Sequence, residues 1–159
     1  MKNSEDGIPN SIDMQLTLFD QLLKKMDDSY HQFAKYSGLS DTAFWIICAV
    51  QDEKETYIQK DLCHMWSYSK QTINSALKKL EENNLIELVL TPKNKKDKRV
   101  ILTPAGEKIA KEMVIPLMKA EKQAFGNLTK EERKQLLSLI QKYEKLLRIE
   151  TNRMISNRK

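Results

Sequence analysis

Between Ile58 and Leu102 the spacing of apolar residues changes character, and that change restricts the chain to few architectures. Residues Ile58 to Met65 and Lys70 to Asn83 both show helical spacing, separated by the short polar turn "WSYS". Two runs of β-branched and aliphatic residues, "LIELVL" and "RVIL", come next and read as short strands. Two helices joined by a tight turn make helix-turn-helix geometry, and a hairpin directly after them forms a wing.

The rest of the pattern is helical. Ile12, Leu16, Phe19, Leu22, Leu23, Met26, Tyr30 and Phe33 recur at three- and four-residue steps, the stripe of one long helix. Gly38 suits its stop, and Ser40 is a good N-cap for an apolar helix over Asp41 to Val50. Asn83 and Asn84 close the helix before the hairpin, because asparagine tolerates the left-handed conformation of a C-cap. Thr103 as N-cap and Pro104 as first helical residue restart the helix, and Pro116 predicts a kink or break further on. Thr129 and Glu132 form a capping box ahead of a last helix carrying Leu136, Leu139, Ile140, Tyr143, Leu146 and Leu147 on one face. The expected fold is mainly α with a small β-hairpin: four helices, the hairpin, then two helices. At 159 residues, one ordinary domain is expected.

Charge is concentrated where the wing would lie. The chain carries a formal +5. Between Lys93 and Arg99, five cations oppose the single acid Asp97, so this segment reads as a cationic loop between the two strands. On a helical wheel, Ile73, Ala76, Leu77 and Leu80 cluster on one side of the preceding helix. Gln71, Ser75 and Lys78 point away from them, with Lys70, Asn74 and Lys79 on the flanks. Amides, hydroxyls and amines on an exposed face match DNA, and in that reading Gln71, Asn74 and Ser75 contact bases. Ser69, Lys70, Thr72, Lys78, Lys79, Lys93, Lys95, Lys96 and Lys98 hold phosphates. Arg99 enters a minor groove, oriented by Asp97 through a charge-assisted hydrogen bond.

These segments resemble the MarR family, the multiple-antibiotic-resistance type of bacterial transcription regulator. "DLCHMWSYSKQTINSALKKLEENNLIE" is similar to its helix-turn-helix. "DKRVILTPAG" is similar to its wing motif, with Asp97, Arg99, Leu102, Thr103 and Gly106 at the matching positions. Asn84 stands where members often have glycine, a departure that bears on how the chain enters the hairpin. The resemblance implies a homodimer, clamped by terminal helices at 10–37 and 104–155 around a winged helix-turn-helix lobe at 39–103, all within one MarR-like domain at 1–159. It also implies a dimeric repressor of inverted-repeat operators that a small-molecule ligand such as an aromatic effector can release; Met26, Tyr30 and Phe33 could border such a pocket, although core packing is the favoured reading of each. Apolar stripes on the terminal helices support dimerisation independently, since they must be buried somewhere.

Other function classes fare worse. The two histidines, His31 and His64, lie far apart, and no triad or paired-carboxylate pattern surrounds them, so an enzyme is not expected. Cys63 and His64 are adjacent without a second spaced pair, which leaves no zinc site and no cofactor. Cys48, within the apolar run "FWIICAV", reads as a small buried hydrophobe. The N-terminus "MKNSEDGIPN" is polar, and the longest apolar run falls well short of the ~20 residues that span a bilayer. A cytoplasmic protein is expected. The rival from another class is a winged helix docking an acidic protein instead of DNA.

Overall fold

The computed structural model describes residues 8–51, 57–91 and 94–157. The element order is α1 (Ile12–Tyr36), α2 (Asp41–Val50), α3 (Gln59–Met65), α4 (Lys70–Glu82), β1 (Ile86–Thr91), β2 (Asn94–Leu102), α5 (Pro104–Ile109), a π-helical turn (Ala110–Val114), α6 (Ile115–Gly126) and α7 (Lys130–Ser156). Two compact units result, Met1–Ile115 and Pro116–Lys159.

Local chemistry sets the helix ends of the first unit. Ser11, Ser40, Ser69 and Thr103 cap α1, α2, α4 and α5, each side chain accepting a backbone N–H from three residues ahead. Helices α1 and α4 share one kind of C-terminal closure. After α1, Gly38 takes φ +75° while its amide donates to Lys35 and the Leu39 amide donates to Ala34. After α4, Asn84 takes φ +56° while its amide donates to Glu81 and the Leu85 amide to Leu80. Both are Schellman closures, so asparagine makes the turn that glycine commonly makes.

The core of this unit gathers Phe44, Ile46 and Ile47 of α2, Leu62 of α3, Ile73 and Leu80 of α4, Ile86 of β1 and Val114 of the π turn, all fully buried. Strands β1 and β2 pair antiparallel, with Ile86 opposite Leu102, Leu88 opposite Val100 and Val89 opposite Arg99. Ile86 and Val100 are buried, whereas Val89 and Ile101 on the other face are exposed, the alternation of a half-covered ribbon. The segment before α3 joins the ribbon's far edge: Ile58 bridges to Arg99, and the Val100 amide donates to the Tyr57 carbonyl at 3.0 Å.

Two features differ from the sequence reading. The basic segment is mostly strand rather than loop, since β2 begins at Asn94 and pairs back to Thr91. Charged side chains are tolerated on an exposed ribbon because a strand sends alternate residues to solvent. The break anticipated at Pro116 takes the form of a π turn just ahead of it. There the Ile115 amide donates to Ala110, five residues back, and the helix then continues through Pro116. A widened turn relieves a proline that cannot donate and whose ring crowds the preceding carbonyls.

In the second unit, α7 opens with the expected capping box: the Glu132 amide donates to Thr129 Oγ1 at 3.2 Å and the Thr129 amide to Glu132 Oε2 at 2.7 Å. The backbone amide and then the hydroxyl of Thr129 hold the Glu132 carboxyl below the usual glutamate range. A carboxyl whose pKa is lowered on folding adds stability above its unfolded pKa and loses it as pH falls through the folded one. The first turn of α7 should therefore loosen as pH falls below the usual glutamate range. In a pH titration by NMR, the Thr129 amide should report a midpoint below that of an ordinary glutamate. Glu132→Gln, which keeps an acceptor but no charge, should abolish that titration.

Helix α7 runs 27 residues without one buried position. Its stripe of Leu136, Leu139, Ile140, Tyr143, Leu146 and Leu147 is 40–64% exposed. Helix α1 also leaves Ile12, Leu16, Leu22, Leu23 and Met26 exposed. Among the described residues, no helix is long and apolar enough to cross a membrane.

Candidate nucleic-acid interface

Helix α4 is anchored by its buried side, Ile73, Ala76, Leu77 and Leu80. Its other positions, Lys70, Gln71, Thr72, Asn74, Ser75, Lys78, Lys79, Glu81 and Glu82, are all exposed. Ser69 accepts from the Thr72 amide at 3.0 Å, and the two hydroxyl oxygens lie 2.7 Å apart, so both side chains sit at the helix N-terminus. A phosphate there would meet free backbone amides and the positive end of the helix dipole. Lys78 lies 3.6 Å from Glu82, but with side chains 78% and 62% exposed the pair contributes little and leaves the amine available.

A cleft of about 730 Å³ opens between α3, α4 and the hairpin. Among the described residues, Lys60, Lys70, Lys78 and Lys98 line it with one acid, Glu81, and Ile58, Leu77 and Leu88 supply apolar lining. Gln59 and Asn74 meet within this lining, where Gln59 Nε2 donates to Asn74 Oδ1. Sequence reasoning missed Gln59 and Lys60, because only the packing of α3 beside α4 brings them to the exposed face. The half-buried Cys63, read from the sequence as no part of a zinc site, lines the same cleft.

Along the wing, Lys98 is exposed and lines the cleft. Lys93 lies outside the described residues. The backbone places Lys95, Lys96 and Asp97 in β2, and their side chains, including the proposed Asp97 contact to Arg99, lie outside the description as well. Arg99 stands within the ladder, opposite Val89 and beside Ile58, rather than at the hairpin tip. Its Nε is buried and has no hydrogen-bond partner among the described residues. An unpaired buried donor is costly, so an acceptor reaching it would gain accordingly.

The Leu102–Gly106 stretch explains how the wing is fixed to the helices. Thr103 donates its amide to the Leu85 carbonyl at 3.1 Å and its hydroxyl to the Asn84 carbonyl at 2.6 Å. The same hydroxyl oxygen accepts from the Gly106 amide at 3.1 Å. One buried threonine thus ties the end of β2, the start of α5 and the entry to β1 together.

Of the pocket residues expected on α1, Tyr30 and Phe33 pack against α2. The Tyr30 ring centroid is 5.1 Å from that of Trp45, and Phe33 meets Phe44 edge-on at 5.9 Å. Trp45 in turn lies 6.0 Å from Trp66, so both tryptophans are packing residues. A cleft of about 500 Å³ beside them is lined by Tyr30, His31, Asp41 and Tyr68, but not by Met26 or Phe33. His31 Nδ1 lies 2.9 Å from Asp41 Oδ1 across the α1–α2 corner, an exposed link. Cys48 is buried, Cys63 is half-buried, and neither is joined in a disulfide. Among the described residues, no group of three or more histidine, cysteine or acidic side chains gathers as a metal site would require.

Residues 37–97, from the end of α1 into β2, match the sequence model of the MarR family. No curated protein matches the sequence. Among solved structures, the chain is similar to NMB1585, a MarR family regulator from Neisseria meningitidis, at 18% identity and a TM-score of 0.70, covering 91% of this chain and 99% of that one. It is similar to S. aureus MepR in a complex with DNA at 18% identity and a TM-score of 0.67, covering 82% and 96%. A MarR family regulator from Listeria monocytogenes complexed with a 26mer DNA shares 21% identity and a TM-score of 0.66, covering 83% and 87%. The shared fold is the mainly helical winged helix with a two-stranded hairpin.

Proposed function

We propose that this chain, which belongs to the MarR family of transcription regulators through its residues 37–97, is a homodimeric, sequence-specific reader of double-stranded DNA acting as a repressor. The observation that carries this reading is the exposed polar face of α4 above a cleft with four lysines and one acid, directly beside the wing. Helix α4 enters a major groove, where Gln71, Asn74 and Ser75 meet base edges and Lys70, Lys78 and Lys79 hold phosphates. Ser69 and Thr72 take a further phosphate at the helix N-terminus. The wing lysines, including Lys93, Lys95, Lys96 and Lys98, displace counterions along the backbone. Arg99 enters the neighbouring minor groove, oriented by Asp97. Such a protein works in the cytoplasm, where bacterial DNA lies.

The exposed stripes of α1 and α7 supply the dimer contact, in helical regions at 10–37 and 104–155 around the lobe at 39–103. DNA in the S. aureus MepR and Listeria complexes supports the choice of nucleic acid as partner. Release by a small aromatic ligand near Met26, Tyr30 and Phe33 completes the reading. Such a ligand acts only as far as it prefers one spacing of the two lobes over the other.

Selection from a random double-stranded library tests this. An inverted repeat with half-sites ~10 bp apart, one helical turn, is expected. Gln71→Ala should relax preference at one position by ~1–3 kcal/mol. Lys98→Ala should weaken all sequences nearly alike and lower the salt slope by about 1. No enriched motif from the wild-type protein would turn the reading toward an acidic protein partner, and an unchanged slope would remove the wing from the interface.

A further inference from the structure

We infer that Gln59, on α3, determines which kind of base edge Asn74 reads. This rests on the DNA-reading role proposed above. Asn74 is exposed on the flank of α4 that faces α3, one turn from Lys70 and one from Lys78. An asparagine free of neighbours offers a base both halves of its amide, the NH₂ as donor and the carbonyl as acceptor, and so pairs bidentately with adenine. Here the carbonyl is engaged: Gln59 Nε2 donates to Asn74 Oδ1. That bond turns the oxygen toward α3 and leaves the Nδ2 amine as the group facing outward.

A lone NH₂ donor selects for acceptors. In the major groove, guanine offers only acceptors, O6 and N7, on its edge, whereas cytosine offers only the N4 donor. Asn74 therefore favours a base that presents an acceptor, guanine through O6 and N7 or thymine through O4, and rejects cytosine. Gln59 touches no base in this scheme and acts as a positioning residue, fixing the direction of another side chain's amide. Fifteen residues separate the two in sequence, and they meet only because α3 packs beside α4.

The polarity of the bond can be reversed. A glutamate at position 59 accepts and cannot donate, so Gln59→Glu forces Asn74 to turn its amine toward α3 and present Oδ1 outward. The outward group then selects a donor, cytosine N4 or adenine N6, so cytosine is admitted where it was rejected and guanine is disfavoured. Gln59→Ala removes the constraint and admits adenine through both halves of the amide. Random-library selection with the full-length protein reads this directly. Asn74→Ala first locates the position by flattening its preference.

At that position alone, the guanine-to-cytosine ratio should fall roughly tenfold or more in Gln59→Glu, and adenine should rise in Gln59→Ala. The added negative charge of the glutamate lowers affinity for every sequence but cannot exchange one base for another at one position. An unchanged base ratio in both variants, or a loss spread evenly over all positions, would overturn the assignment while leaving the wild-type motif and the DNA-reading role intact. A wild-type protein that selects no motif would overturn both together.

Discussion

Gly106→Ala is expected to destabilise the winged lobe by about 3 kcal/mol, although alanine is the better helix former by about 1 kcal/mol. A Cβ built on Gly106 would lie 2.0 Å from the Leu85 carbonyl oxygen and 3.0 Å from its carbon. The obstacle is backbone, and it is held. Leu85 O accepts from the Thr103 amide, and the Thr103 hydroxyl bonds Asn84 on one side and Gly106 on the other. Relieving the clash would separate α5 from the entry to β1 and break that set of bonds, so side-chain repacking offers no escape. Thermal unfolding should show a fall in Tm of about 6–12 °C for a chain of this size. DNA affinity should drop with it, because the hairpin's direction depends on the same anchor. A Tm equal to that of the wild type would mean that the backbone at Leu85 yields freely.

The second large effect concerns assembly. Ile140→Glu combined with Leu147→Glu places two charges in the α7 stripe, at positions 48% and 50% exposed within one chain. Neither residue contributes to the buried core, and glutamate is a good helix former, so the fold of each chain should survive. The proposed dimer should not. Sedimentation should report a monomer, and DNA affinity should fall by about 100-fold or more, since two linked half-site contacts give avidity of that order. Circular dichroism unchanged from the wild type would locate the loss in assembly rather than folding. A variant that remains dimeric would exclude the α7 stripe as the contact.

What the sequence determined by itself is local. Ser40, Thr103 and Thr129 were readable as caps, and each takes the amide three residues ahead, because a helix places that amide wherever the motif occurs. Asn84 was readable as a helix stop because few residues tolerate φ near +56°. The outward face of α4 followed from a period of 3.6 residues, which separates Gln71, Ser75 and Lys78 from Ile73 and Leu80 without reference to anything else in the fold.

What only the tertiary structure decided lies between elements distant in sequence. Composition made Lys93 to Arg99 look like a loop, whereas the hairpin's register carries β2 from Asn94 through Arg99 to Leu102. The bridge from Ile58 then places Arg99 inside the ladder. Gly106 was readable as a motif position, but the carbonyl that forbids a side chain there belongs to Leu85, twenty-one residues earlier. Gln59 carried no signal in the sequence, since a half-buried glutamine at a helix start is ordinary until its neighbour is known. Periodicity fixes which face of an element is polar. Which side chains meet across two faces depends on how the buried sides pack, and that is a property of the whole core.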